Sequence, residues 1–312
     1  MSLAGSRLTA TTPGPTTETE LSVGSDPPDM IVTGSGSQTF AAALADATGR
    51  DLAAVAYDRF PDGELQASVS GFDADHAVVV ASTVSSDAHV ELLQLQDAVR
   101  EAGASEVTTV LPYMGYARQD EAFSAGEPVS ARAVARAIST GTDRVLTVNP
   151  HEAAVCDFFD VPATGVDAAG RLADPLPADL TDPLFLSPDE GATDLATSVR
   201  DAYGAGATDY FVKHRDYDTG GVAVEPNDTA VAGRDVVLVD DIVATGSTMS
   251  EAIAVLHDRG VDRVFVTCVH PLLAVNARTR LHRAGVTALY GTDTIEGPVS
   301  RVSAAPPVAD HL

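Results

Sequence analysis

Residues 236–249 read V-V-L-V-D-D-I-V-A-T-G-S-T-M. Val236 to Val239 is a short apolar run rich in β-branched residues, which predicts a strand buried on both faces of a parallel sheet. Asp240 and Asp241 follow at once, and then the small residues Ala244, Thr245, Gly246, Ser247 and Thr248. A helix is expected next, with Met249, Ile253, Val255 and Leu256 turned inward and Gly260 as its stop. Strand, acid pair, small loop and helix together make a pocket for a phosphorylated sugar. Loop amides and the helix N-terminus can hold a phosphate. Two carboxylates can accept hydrogen bonds from two sugar hydroxyls. An ordinary strand-to-helix turn needs neither the second acid nor T-G-S-T, and the Gly-Lys-Ser/Thr of a Walker loop is absent.

Working outward, the same rhythm of strand and helix recurs on both sides. Upstream, strands are expected at Ile31–Val32, Val55–Tyr57, Ala77–Ala81, Val107–Leu111 and Arg144–Val148, with helices near Gln38–Thr48, Ala88–Ala102 and Ser130–Ser139. Arg59-Phe60-Pro61-Asp62-Gly63-Glu64 has the Pro and Gly of a chain reversal, and the alternating Leu65, Ala67 and Val69 form its return strand. Nearer the opening stretch, strands are expected at Phe185–Ser187, Asp209–Val212 and Val222–Val224, with a helix over Ala192–Tyr203. Downstream come a strand at Arg263–Cys268, a helix at Ala274–Ala284 and a strand at Val286–Tyr290. The fold class is α/β: two similar domains, each a mostly parallel sheet flanked by helices. Such sheets bind ligands beyond the carboxyl ends of their strands, where the polar motifs of this chain fall. The expected division is a disordered tail over 1–29, domains over 30–165 and 166–300, and a C-terminal tail over 301–312. Met30 opens the ordered pattern and could serve as the initiator.

The 312 residues are 45% hydrophobic, enough for two domains. No apolar run approaches the roughly 20 residues of a membrane span, and no secretory signal opens the chain. Cys156 and Cys268 sit in separate apolar segments and are read as reduced core residues of a cytoplasmic protein. Asp and Glu number 45 against 19 Lys and Arg, a net charge of −26. That balance argues against a nucleic-acid surface, which needs a basic footprint. A single lysine, Lys213, stands among these 19 cations.

Five segments in order carry a family likeness: R-F-P-D-G-E at 59–64, P-Y-M-G-Y-A-R-Q-D at 112–120, N-P-H-E at 149–152, S-P-D-E-G at 187–191, and the opening stretch. The opening stretch resembles the phosphoribosyl-diphosphate loop of the type I phosphoribosyltransferase superfamily. The five together resemble the ribose-phosphate diphosphokinases, over roughly Met30 to Pro298, with N-P-H-E and the composition pointing to the archaeal branch. The acid-rich, lysine-poor composition resembles that of proteins from salt-loving archaea, whose hydrated, like-charged surfaces stay soluble in high salt.

The resemblance implies transfer of diphosphate from ATP to ribose 5-phosphate, with Mg2+ as cofactor. It implies that Phe60, Asp62, Gly63 and Glu64 reach the ATP of a neighbouring subunit, so that a homo-oligomer shares the ATP site. Arg118 and Gln119 would grip ATP, and His151 and Asp189 would form the metal site. Lys213 and Arg215 would be the catalytic cations, since charge shifts onto phosphoryl oxygens as AMP leaves. Arg215, Asp240, Asp241, Ala244, Thr245, Gly246, Ser247 and Thr248 would bind ribose 5-phosphate. His89 and His270 are read as structural. Two departures from the family pattern stand out: Ala244, where several relatives carry an acid or Ser, and Glu121-Ala122, where many are basic, which bears on control by anionic regulators. Two other readings compete. A phosphoribosyltransferase would use the pocket but not Asp62–Glu64 or Arg118-Gln119. A catalytically inactive regulatory homologue would be expected to lack Lys213, Arg215 or His151, and all three are present.

Overall fold

The computed structural model describes residues 29–215, 222–226 and 229–312, with side chains left out of the description at 213–215 and 222–225. The first half runs β1 (Met30–Thr33), α1 (Gln38–Thr48), β2 (Asp51–Leu52), β3 (Ala54–Arg59), β4 (Leu65–Ser70), β5 (His76–Val80), α2 (Ser86–Glu101), β6 (Glu106–Leu111), α3 (Ser130–Ser139), β7 (Arg144–Val148) and β8 (Ala163–Val166). The second runs β9 (Leu184–Ser187), α4 (Thr193–Tyr203), β10 (Ala207–Arg215), β11 (Val222–Pro226), β12 (Asp235–Ile242), α5 (Ser247–Asp258), β13 (Arg263–His270), α6 (Ala277–Ala284), β14 (Ala288–Thr292), β15 (Ser300–Val302) and α7 (Ala305–Ala309).

Two main sheets result. One has six strands in the order β2-β1-β5-β6-β7-β8, all parallel. The other has seven, β11-β10-β9-β12-β13-β14-β15, parallel except where β10 meets β11. The hairpin β3–β4 stands apart as a two-stranded antiparallel ribbon. The expected α/β class with two mostly parallel sheets is what the chain adopts.

Strand alternation divides the apolar residues among three cores. Val237 and Val239 turn to a core shared by both sheets, where they meet Val78, Val80, Leu146, Phe185 and Phe265. Val236 and Leu238 turn the other way, onto Met249, Ile253 and Leu256 of α5. Ala77 and Val79 likewise face Leu92, Leu95 and Val99 of α2. Because side chains alternate along a strand, a strand covered on both faces must be apolar at every position. All four residues of 236–239 are fully buried.

Both tails need correction. Asp29 is held by Arg50 at 2.8 Å and by His76 at 3.3 Å, so it does not belong to a disordered tail; the rest of that expected tail, residues 1–28, lies outside the described residues. The segment 301–312 is not a loose tail. Arg301 and Val302 belong to β15, and α7 buries Ala305 and Val308 in the shared core beside Phe40 and Leu44 of α1. Arg50 donates to the Leu312 carbonyl at 3.0 Å and Arg144 to that of His311. The helix expected from Ala274 begins only at Ala277. Leu273 and Val275 hold φ of 44° and 56°, which a helix does not admit. Both cysteines are free; Cys268 is a core residue as expected, whereas Cys156 is only half-buried.

Candidate active site between the two sheets

The carboxyl ends of β6, β7, β12 and β13 converge. After β6 the chain turns sharply at Gly115, where a Cβ would come within 2.0 Å of the Thr83 carbonyl oxygen; only glycine allows that approach. The turn leads to Arg118, which lines a small pocket with Tyr113, His151, Asp241 and His270. Gln119 points elsewhere: its side-chain carbonyl accepts from the Ser130 hydroxyl at the start of α3, 2.5 Å away. That leaves its amide NH2 as a donor.

After β7, Asn149 takes φ of 35°. Its side chain accepts from the Ala168 amide at 2.8 Å and donates to Asp167 at 2.7 Å, which braces the turn. His151 then reaches across to the other sheet, its Nδ1 2.6 Å from Oδ2 of Asp241. This contact joins N-P-H-E to V-D-D-I. His270, at the end of β13, is 4% exposed and stands edge-on to Tyr113. Its Nε2 lies 3.1 Å from the Asn149 carbonyl, which can only accept, so Nε2 carries a proton; Nδ1 lies 2.9 Å from the Thr294 hydroxyl, which donates to the Val269 carbonyl at 2.7 Å. Burial lowers the pKa of His270, in keeping with a neutral ring.

The acid pair is split by its surroundings. Burial, and then the charge of Asp241, pushes the Asp240 carboxyl well above the usual range. Asp189, after β9, adds to the same repulsion. Burial, the largest single influence, would also raise Asp241, but the hydrogen bond and charge of His151 and the hydrogen bond with Asp240 together outweigh it and hold that carboxyl low. The same bond raises the pKa of His151. Asp241 is thus the settled anion of the pair and Asp240 the one that resists charge.

The loop that follows leaves hydrogen-bond donors open. Gly246 caps α5 with φ of 69°, and no side chain caps that helix. The first-turn amides of α5 therefore remain as donors beside the partial positive charge of the helix end. Thr245 and Ser247 bring their hydroxyls within 3.2 Å of each other.

The other expected residues sit apart from this pocket. Phe60, Asp62, Gly63 and Glu64 form the tip of the β3–β4 hairpin, closed by Phe60 N–H to the Glu64 carbonyl at 2.9 Å. Phe60 is 47% exposed, an apolar ring presented to the outside. Gln94 of α2 clamps the hairpin, accepting from the Ala67 amide at 2.8 Å and donating to the Leu65 carbonyl at 2.9 Å. The backbones of Lys213 and Arg215 belong to β10, opposite Val224 and Val222 of β11; their side chains lie outside the described residues. The sequence reading missed the contact between His151 and Asp241 and gave His270 and Tyr113 no place at the site. A His-Pro pair closing a buried strand was the available signal for His270.

Parallel sheets with an acid pair and a small-residue anion loop at a strand end define the phosphoribosyltransferase class. Residues 165–301 match the family model described as "Phosphoribosyl transferase domain", and residues 30–141 match "N-terminal domain of ribose phosphate pyrophosphokinase". The chain belongs to the ribose-phosphate pyrophosphokinase family. It is 68% identical over 284 residues to a ribose-phosphate pyrophosphokinase of Halobacterium salinarum, covering 91% of this chain and 100% of the relative. A second, from Methanosarcina mazei, is 42% identical over 285 residues, 90% of this chain and 94% of the relative. The crystal structure of phosphoribosylpyrophosphate synthetase from Mycobacterium smegmatis superposes with a TM-score of 0.76 at 27% identity, covering 91% of this chain and 97% of that one.

Proposed function

We propose that this chain transfers the terminal diphosphoryl group of ATP to the anomeric hydroxyl of D-ribose 5-phosphate, giving 5-phospho-α-D-ribose 1-diphosphate and AMP for nucleotide synthesis. The observation that carries this reading is the meeting of Arg118, His151 and Asp241 from three distant segments in one pocket. A transferase joining a base to a phosphoribosyl group would have no use for the Arg118-Gln119 turn or the exposed Phe60–Glu64 hairpin.

In this reading Asp240 and Asp241 hold the ribose hydroxyls, while Ala244, Thr245, Gly246, Ser247 and Thr248 cradle the 5-phosphate. Arg118 and Gln119 grip ATP, the guanidinium suiting phosphate oxygens by paired donation. Lys213 and Arg215 stabilise charge gathering on the transferred group, and Arg215 also contacts the sugar phosphate.

Mg2+ is the proposed cofactor, with Asp189 and His151 beside it. The mutual repulsion of Asp189, Asp240 and Asp241 suits a hard divalent cation. Among the described residues no group of three or more His, Cys, Asp or Glu could hold a metal alone. Mg2+ keeps water and takes phosphate oxygens alongside one or two carboxylates. When bound, the metal would neutralise diphosphate charge.

The exposed hairpin tip supports a homo-oligomer whose subunits share the ATP site. We read the chain as a domain over 30–165 and a second that starts at 166 and runs past 300 to include β15, acting in the cytoplasm. Among the described residues, no helix is long and apolar enough to cross a membrane.

The test is one assay in molar potassium chloride with ATP, magnesium and ribose 5-phosphate. AMP and phosphoribosyl diphosphate should appear one-to-one. Lys213→Ala should cut turnover at least about 1,000-fold, the scale of a lost phosphoryl-stabilising cation, while ATP still binds. Absence of AMP from the wild-type protein would sink the reading, and a strictly monomeric active species would remove the shared site.

A further inference from the structure

We propose that Arg280 positions the sugar-phosphate pocket: it fixes Ser247 as a hydrogen-bond donor and supplies the positive charge that selects a 5-phosphate. This rests on the reading that residues 244–248 hold that phosphate.

Helix α6 is built against the loop. A Cβ on Gly246 would lie 3.3 Å from Cγ of Leu281 and 3.5 Å from the Ala277 carbonyl oxygen. The segment entering α6 runs beside the loop backbone, with Leu273 N–H donating to the Val243 carbonyl and Ala274 N–H to that of Ala244, both at 2.9 Å. Residues 277, 280 and 281 share one face of α6 by their three- and four-residue spacing. From that face Arg280 donates through a terminal guanidinium nitrogen to Oγ of Ser247.

The direction of that bond decides the chemistry. A guanidinium has donors and no acceptor, so the Ser247 hydroxyl must be the acceptor. Its own proton then has to be given elsewhere. Thr245 Oγ1, 3.2 Å away inside the loop, is the acceptor at hand. A phosphate oxygen entering the loop would be a stronger one, because hydrogen bonds to charged groups are the stronger kind. Arg280 therefore turns a freely rotating hydroxyl into one aimed at the anion.

Charge argues the same way. The five residues of the loop carry no ionised side chain, the acid pair stands just before them across Ile242 and Val243, and the chain as a whole stands at −26. A phosphate dianion needs a positive field to sit there. The α5 N-terminus supplies about half an elementary charge. Arg280 is half-buried and pairs with no carboxylate among the described residues, so its full charge remains for the loop. By contrast Arg50, Arg100 and Arg263 are each neutralised by an aspartate. In molar salt the screening length is about 3 Å, so a cation held in contact with the loop counts and a distant one does not.

The experiment compares wild type, Arg280→Gln, Arg280→Lys, Ser247→Ala and the Arg280→Gln/Ser247→Ala double variant in molar potassium chloride. Initial rates are measured with each substrate varied, alongside calorimetric titration with ribose 5-phosphate and thermal melting. Arg280→Gln should raise the KM for ribose 5-phosphate about 10- to 100-fold, the range for a hydrogen bond to a charged group. Its KM for ATP and its melting temperature should stay at the wild-type values. Arg280→Lys should recover part of the loss, since it keeps the charge but not the planar fork. The double variant should be no worse than the more impaired single one, because both changes break one linked donor. An unchanged KM for ribose 5-phosphate in Arg280→Gln, an equal rise for both substrates, or fully additive losses would overturn the proposal. If wild-type protein released no AMP, the reaction assignment would fall, and the titration of wild type against Arg280→Gln would still decide the role of Arg280.

Discussion

Asp240 and Asp241 are chemically identical neighbours with different tendencies, and a contact that only one of them makes contributes to the difference. His151 faces Asp241 and not Asp240, so one carboxyl is held charged while burial and repulsion raise the other. Asp241→Asn keeps the shape but removes the settled negative charge. We expect AMP release to fall roughly 100-fold, as when one preorganised polar contact is lost from an active site, with the melting temperature preserved. Steady-state rates on a variant verified by melting would check this, and an undiminished rate would mean that Asp240 does the binding alone. The positions of both aspartates were legible in the sequence, because two acids after a buried strand and before T-G-S-T have little structural use. The partner was not. His151 and Asp241 are 90 positions apart, and one sequence carries no signal of which distant side chains meet. Arg280 was illegible for another reason: A-R-T-R-L-H-R-A reads as a solvated helix, and only the packing of α6 on Gly246 turns one of its arginines to the loop.

At the scale of elements, burial on both faces made the strands easy to read. Arg144–Val148 and the helices Gln38–Thr48 and Ser130–Ser139 have the bounds that periodicity predicts. The failures were elements with weak apolar content. β8 reads A-T-G-V, and its glycine leaves an edge strand without a pattern. Helix α7 reads A-P-P-V-A, and two prolines suggest a chain end. Proline is tolerated in a first helical turn, where its missing N–H would have no helical partner. The turn is short, but its site is not peripheral: Val308 is fully buried against the core that both sheets share. Val308→Ala should therefore cost about 2 kcal/mol, the value of burying such a side chain. Guanidinium unfolding in constant salt should show a lower midpoint with an unchanged slope. A midpoint equal to wild type would mean that α7 contributes nothing to holding the halves together.

For the whole molecule, the back-to-back placement of two sheets around one core was beyond the sequence, since each half reads as its own series of strands and helices. Charge, however, was fully legible. A surplus of 26 negative charges works against any compact state, because like charges are drawn together on folding. In this chain the repulsion bears on a core to which both sheets contribute, so the halves must close against it. Salt decides the balance. Screening reaches about 10 Å at 0.1 M and about 3 Å at 1 M, so in molar salt only contact pairs interact. The 68% identical relative from Halobacterium salinarum fits a protein built for that regime. We expect the melting temperature to fall steadily as potassium chloride is lowered from molar to about 0.1 M, the range over which the screening length triples. Sucrose, which favours burial without screening, should restore only a small part of the loss. A variant with several exposed aspartates changed to asparagine should shift the whole curve to lower salt. If sucrose replaced salt fully, or if the asparagine variant followed the wild-type curve, repulsion would not be the force that salt opposes, and the acidic surface would need an explanation in hydration instead.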